Sequence, residues 1–164
     1  MTLKEKISNI ITERIITNPE IFLVEVLVSD KAKQKIVVLL DGDKGVDIDQ
    51  CAEVSRQLGE IIEAELLIED AYILEVSSPG LDFPLKFPRQ YTANIGRMLR
   101  VETKEGSFFG KITTTTETNF SIELEIKKSK TQIKKDLAAG IPAPEPIKTI
   151  EFAEVKKALI EIKL

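Results

Sequence analysis

Leu3, Ile7, Ile10, Ile11 and Ile15 recur at three- and four-residue spacing, which predicts an amphipathic helix over about residues 2–17. Thr2 and Glu5 have the T-x-x-E spacing of a capping box, and Asn18-Pro19 stops the pattern. The β-branched run Ile21–Val28 and the run Lys35–Leu40, joined by a short polar stretch, predict an antiparallel hairpin. Cys51, Val54, Leu58, Ile61 and Ile62 then form the buried stripe of a second helix, with Asp47 and Gln50 in the D-x-x-Q spacing of a cap. A third strand, Ala71–Val76, runs into Ser77-Ser78-Pro79-Gly80-Leu81-Asp82. The order αββαβ suits one small sheet with both helices on one face.

From Ile95 the period falls to two. Leu99, Val101 and Thr103 alternate with Met98, Arg100 and Glu102, and Phe108, Gly110 and Ile112 alternate with Phe109, Lys111 and Thr113. Phe120, Ile122 and Leu124 make a third strand, Lys148–Phe152 a fourth, and Lys156–Leu164 a fifth with Ala158, Ile160 and Ile162 on one face. Five short strands are too few for a sandwich, and closing them into a small barrel removes exposed edges. The fold class expected is therefore α+β: an αββαβ domain over residues 1–87, then a small all-β barrel over 88–164. A Lys-rich, Pro-rich interruption, residues 126–146, is expected to be a loop, either functional or disordered.

Charge divides at the same place. Residues 1–87 carry 9 Lys+Arg against 17 Asp+Glu, a net of −8, and residues 88–164 carry 14 against 10, a net of +4. The acidic half should attract basic protein surfaces and the basic half nucleic acid, unless each imbalance merely solvates its own surface. The absence of His removes Ser-His-Asp and Cys-His catalysis and imidazole metal sites. One cysteine, Cys51, excludes an intramolecular disulfide and any CxxC motif. No apolar run approaches the roughly 18 residues of a membrane span, and the N-terminus lacks the order of a signal peptide, so the chain reads as cytoplasmic. No heptad pattern demands self-association, so a monomer is expected.

Candidate chemistry is sparse. Asp41, Asp43, Gly45, Asp47 and Asp49 resemble a calcium loop, but Val46 and Ala52 stand where an EF-hand needs Gly and Glu. Turn and cap chemistry explains them better. Glu25 and Glu75 interrupt apolar strands and could share a surface, which is all that supports a metal-dependent RNA hydrolase as an alternative function. No phosphate-cradling glycine motif is present, and no cofactor is expected. Cys51, on an apolar helical stripe, reads as a packed thiol. Candidate RNA contacts are Lys127, Lys128, Lys130, Lys134 and Lys135 in the interruption, with Arg97, Arg100 and Lys111 on the strands. The competing reading of the lysines is a solubilising loop. Phe108, Phe109 and Phe120 are expected in the barrel core, so any RNA contact would recognise backbone and shape. In the Ser77–Asp82 segment Pro79 fixes φ and Gly80 permits positive φ, which predicts a defined turn where the third strand ends. Ser77 and Ser78 either bond within that turn or present hydroxyls to a partner.

The string Ala71-Tyr72-Ile73-Leu74-Glu75-Val76-Ser77-Ser78-Pro79-Gly80-Leu81-Asp82, with Cys51–Arg56 upstream, resembles the RimP family of bacterial ribosome maturation factors. Val24-Glu25-Val26, Asp41-Gly42, Gly45-Val46, Ile95-Gly96-Arg97, Phe109-Gly110-Lys111 and Glu154–Ala158 follow in the same order. The resemblance implies an αββαβ domain followed by an Sm-like, SH3-type barrel. It also implies a non-enzymatic factor that binds the free small ribosomal subunit late in assembly. Near the decoding region, it would help a basic ribosomal protein and nearby 16S rRNA settle. A general protein-interaction module using the barrel alone is a further alternative. The chain departs from the family pattern at Phe83, where a basic residue is common, at Asp47, where Ser or Thr is common, and in the length of 126–146.

Overall fold

The computed structural model describes residues 1–29, 34–125, 129–141 and 146–161. Its contacts divide the chain into two units, Met1–Gly80 and Leu81–Leu164. The division falls ahead of residue 87 because Leu85 packs on the second core and its N–H donates to the Ala158 carbonyl at 2.8 Å. Residues 81–87 carry one Asp and one Lys, so the charge imbalance of the two halves is unchanged.

In the first unit α1 spans Leu3–Ile10, and Thr2 Oγ1 accepts the Glu5 N–H at 3.2 Å. The helix continues as a π turn, Ile11–Ile15, in which Ile16 N–H donates to the Ile11 carbonyl at 2.9 Å. Residues four apart drift round an ideal α-helix; the wider turn counters that drift and keeps Ile7, Ile11 and Ile15 all buried. Strands β1 (Ile21–Val28) and β2 (Gln34–Gly42) pair antiparallel, as the hairpin pattern predicts. Helix α2 (Ile48–Ala64) then carries the chain to β3 (Tyr72–Ser77), which pairs parallel with β2. A parallel pair needs such a crossover because a tight turn cannot join it.

The capping box at the start of α2 is complete: Gln50 N–H donates to Asp47 Oδ1 at 2.7 Å, and Asp47 N–H donates to Gln50 Oε1 at 2.9 Å. Ile7, Ile11, Leu58 and Ile62 from the helices meet Val26, Ile36, Val38 and Leu40 from the sheet in one core. Each fully buried aliphatic side chain there contributes about 1.5–3 kcal/mol.

The second unit opens with a short helix that the periodicity does not predict, α3 (Pro88–Ala93). Pro88 at its first position is pre-set for a helix, and Gln90 Oε1 accepts the Phe87 N–H at 2.9 Å and the Lys86 N–H at 2.7 Å. Strands β4 (Met98–Thr103), β5 (Gly106–Thr115) and β6 (Asn119–Leu124) form a meander. Strand β7 (Ile147–Glu151) adds to β6, and β8 (Val155–Glu161) adds to β4, giving the order β7-β6-β5-β4-β8. The expected position of Ile162 lies outside the described residues.

This sheet is strongly curled. A flat sheet would hold its two edge strands about 19 Å apart, four steps of about 4.8 Å. Yet β7 and β8 are joined by one 3₁₀ turn, Phe152–Glu154, which advances only about 6 Å. Bulges at the Glu102/Thr103 and Ile112/Thr114 register shifts supply extra twist. At Gly110 a Cβ would lie 2.4 Å from the Glu123 carbonyl oxygen, so only glycine lets β5 and β6 approach this closely. The inner face gathers Leu99, Val101, Ile112, Phe120, Ile122, Ile150, Ala158 and Ile160 around one core.

The interruption is not an uninterrupted loop. Helix α4 spans Lys130–Ala138, with Ser129 Oγ accepting the Gln132 N–H at 3.1 Å. Gly140, at φ +83°, ends it in a Schellman motif, with Ile141 N–H donating to the Asp136 carbonyl at 2.7 Å. Its S-x-x-Q start and glycine stop are both legible in the sequence; the apolar stripe that would have announced a helix is missing.

Candidate functional site

The Ser77–Asp82 turn stands at the division between the two units. Strand β3 ends at Ser77, whose Oγ donates to the Ser78 carbonyl at 3.2 Å. Gly80 takes φ +66° with open space where a Cβ would stand, so conformation alone requires glycine there. Ser78, Leu81 and Asp82 are exposed, and Phe83 is half-buried. Ser77 thus bonds locally, while the Ser78 hydroxyl sits on an exposed residue at the bend.

Arg97 precedes β4 and donates from Nη1 to Asn94 Oδ1 at 3.2 Å. Arg100 and Lys111 share the outer face of the sheet, since Met98 stands opposite Lys111 and Arg100 opposite Phe109. This face is mixed rather than purely basic. Arg100 Nη2 lies 3.1 Å from the Glu161 carboxylate, and Lys111 stands opposite Glu123 on β6. Both partners of the Arg100–Glu161 pair are about half exposed, so the pair contributes little stability and can be exchanged for another anion.

Phe109 is the residue that sequence reading misplaces. Phe120 is fully buried and Phe108 packs on the core, as expected, but Phe109 lies outside that core with the Arg100 guanidinium 4.9 Å above its ring. The signal was present in the period-two pattern, because Phe109 has the parity of Lys111 and not of Ile112. Lys148 makes a similar contact on Phe108 at 4.9 Å.

In α4, Lys130 and Lys134 lie one turn apart on an exposed face and Lys135 is turned about 100° from Lys134. Asp136, on the buried side, accepts from Gln132 Nε2 at 2.8 Å. Lys127 and Lys128 lie outside the described residues.

Elsewhere the arrangement is structural. Glu25 pairs with Lys4 at 3.0 Å and Glu75 with Lys35 at 3.4 Å. Their strands flank β2, about 10 Å apart, so the two carboxylates do not form one site. Among the described residues no group of three or more His, Cys, Asp or Glu side chains is placed to hold a metal ion. The hydrolase alternative therefore finds no constellation among them. Burial, with a smaller push from the Asp47 carboxylate, raises the Cys51 thiol pKa, so this buried cysteine stays protonated. No helix among the described residues is long and apolar enough to cross a membrane.

The geometry defines a class: a two-unit α/β-plus-β protein whose conspicuous features among the described residues are charged surfaces and a built turn. Residues 11–82 match the model of the RimP N-terminal domain. The chain is 38% identical over 160 residues to the ribosome maturation factor RimP of Cytophaga hutchinsonii, covering 96% of this chain and 92% of that protein. It is 31% identical over 154 residues to the RimP of Christiangramia forsetii, covering 94% and 97%, and 28% identical over 162 residues to that of Flavobacterium psychrophilum, covering 99% of each. The chain belongs to the RimP family.

Proposed function

We propose that this chain is a non-catalytic ribosome maturation factor that binds the free small ribosomal subunit late in assembly, around the decoding region. The observation that carries this reading is the end-to-end similarity to a protein named a ribosome maturation factor, 96% of this chain against 92% of the relative. In this reading the acidic unit meets a basic ribosomal protein, and the second unit lies against 16S rRNA through Arg97, Arg100, Lys111 and the lysines of 127–135. The charge division supports that assignment, since opposite fields steer each unit toward a different partner. The curled five-stranded sheet is taken as a closed Sm-like, SH3-type barrel, and the Ser77–Asp82 turn as the device that sets the angle between the units. The protein acts in the cytoplasm as a monomer.

Co-sedimentation tests this reading. The protein is expected to pellet with free small subunits and not with complete ribosomes. Equal association with both, or with neither, would overturn it.

A further inference from the structure

A shallow groove of about 340 Å³ runs beside the N-terminal half of α2 in the first unit. Its apolar lining comes from Ile15 and Ile16, where the π turn ends, from Ile21 at the start of β1, and from Val54 on α2. Asp49 and Glu53 line it from α2. A second depression of about 330 Å³ shares Asn18, Ile21, Asp47 and Gln50 with the first, and adds Glu20 and Lys44. The two are therefore one trough. Its α2 wall, from Asp47 to Gln57, is about 15 Å long at about 1.5 Å per residue.

Charge and shape together select an occupant. Four carboxylates, those of Glu20, Asp47, Asp49 and Glu53, line the trough against the single ammonium of Lys44, which itself lies 3.6 Å from Glu20. Hydrogen bonds from Arg56 and Gln57 hold the Glu53 carboxyl below its ordinary pKa, and because the Arg56–Glu53 pair is half exposed an incoming cation can share or replace Arg56 there. At the same end of α2, Ile48 is 86% exposed between two aspartates. A π turn leading into such a lining is a common mark of a functional site.

We infer that this trough docks a basic amphipathic peptide segment, its apolar side chains on Ile16 and the exposed edges of Ile15 and Val54, and its lysines or arginines against Asp49 and Glu53. A span of about 15 Å accepts about ten helical residues, enough for two or three apolar anchors at three- and four-residue spacing. The inference rests on the proposal that the acidic unit meets a basic protein, and says where and in what form.

The test is a titration of the full-length, ¹⁵N-labelled protein with a synthetic Lys/Leu peptide of helical spacing. The control is an equally charged peptide with every Leu replaced by Gln. Amide shifts confined to residues 15–21 and 47–57, with at least tenfold tighter binding of the Lys/Leu peptide, are expected. Asp49→Lys combined with Glu53→Lys should weaken that binding at least tenfold in a variant that stays folded by circular dichroism, with a somewhat lower melting temperature because both changes oppose the helix dipole. Equal affinity for the two peptides, shifts elsewhere, or indifference to these substitutions overturns the inference. Parent protein that fails the titration yet pellets with free small subunits loses only the trough; protein that selects the peptide but ignores subunits loses only the ribosomal reading.

Discussion

Tyr91 is 3% exposed and packs against Phe120 and Phe152, with ring centroids 4.7 and 4.9 Å away. Burial pushes its phenol up to about 12. Because the folded pKa exceeds the unfolded value near 10, the buried neutral phenol contributes its full stability below about pH 10 and loses it as the pH rises through 12. A shift of about two units corresponds to about 3 kcal/mol, so urea midpoints should fall steeply from pH 10 to 12, and Tyr91→Phe should remove most of that fall. A second residue-scale effect is steric. Gly110→Val places a Cβ against the Glu123 carbonyl oxygen, a backbone atom that cannot swing aside. A loss of about 1–3 kcal/mol is expected in chemical denaturation, with the β5–β6 amides exchanging faster.

At the scale of elements, α2 and α4 depend on their caps to different degrees. The reciprocal Asp47–Gln50 box starts a helix whose buried stripe already ties it to the first core, so Asp47→Ala should cost about 1 kcal/mol and leave α2 formed. Helix α4 has one buried side chain, Asp136, and nine residues, too few for a helix to persist alone. Ser129→Ala should therefore melt α4 locally, seen as lost amide protection over 130–138, with little change in global stability. Exposed Lys130, Lys134 and Lys135 carry the charge of this element. Replacing all three with Gln should lower the slope of log binding constant against log salt by about 2 for subunit association, at about 0.7 per phosphate contact. An unchanged slope would assign α4 to solvation.

The described residues form two hydrophobic cores that share no residue. Leu58→Ala and Phe120→Ala remove fully buried side chains from one core each, and should cost about 2–5 and 3–5 kcal/mol respectively. Hydrogen exchange should rise across Met1–Gly80 in the first variant and across Leu81–Leu164 in the second. Exchange rising equally in both units would show one cooperative body. The same division carries the function proposed above, because two separately built surfaces of opposite charge can meet a protein and an RNA at once.

The one-dimensional pattern by itself determined the succession of strands, the first helix, α2 with its cap and the faces of most strands, but neither α3 nor α4, which have no apolar stripe. The features it determined are local or periodic, written in residues a few positions apart. The Ala71–Asp82 string carried the family resemblance for the same reason. Only the tertiary structure decided that Arg100 sits on Phe109 beside Glu161, because that trio joins three strands, one of them sixty residues away along the chain. It likewise decided the curl of the second sheet, which follows from two edge strands being tied by a three-residue turn. The trough beside α2 is legible in neither periodicity nor motif, since its lining comes from three elements that meet only when the first core is packed.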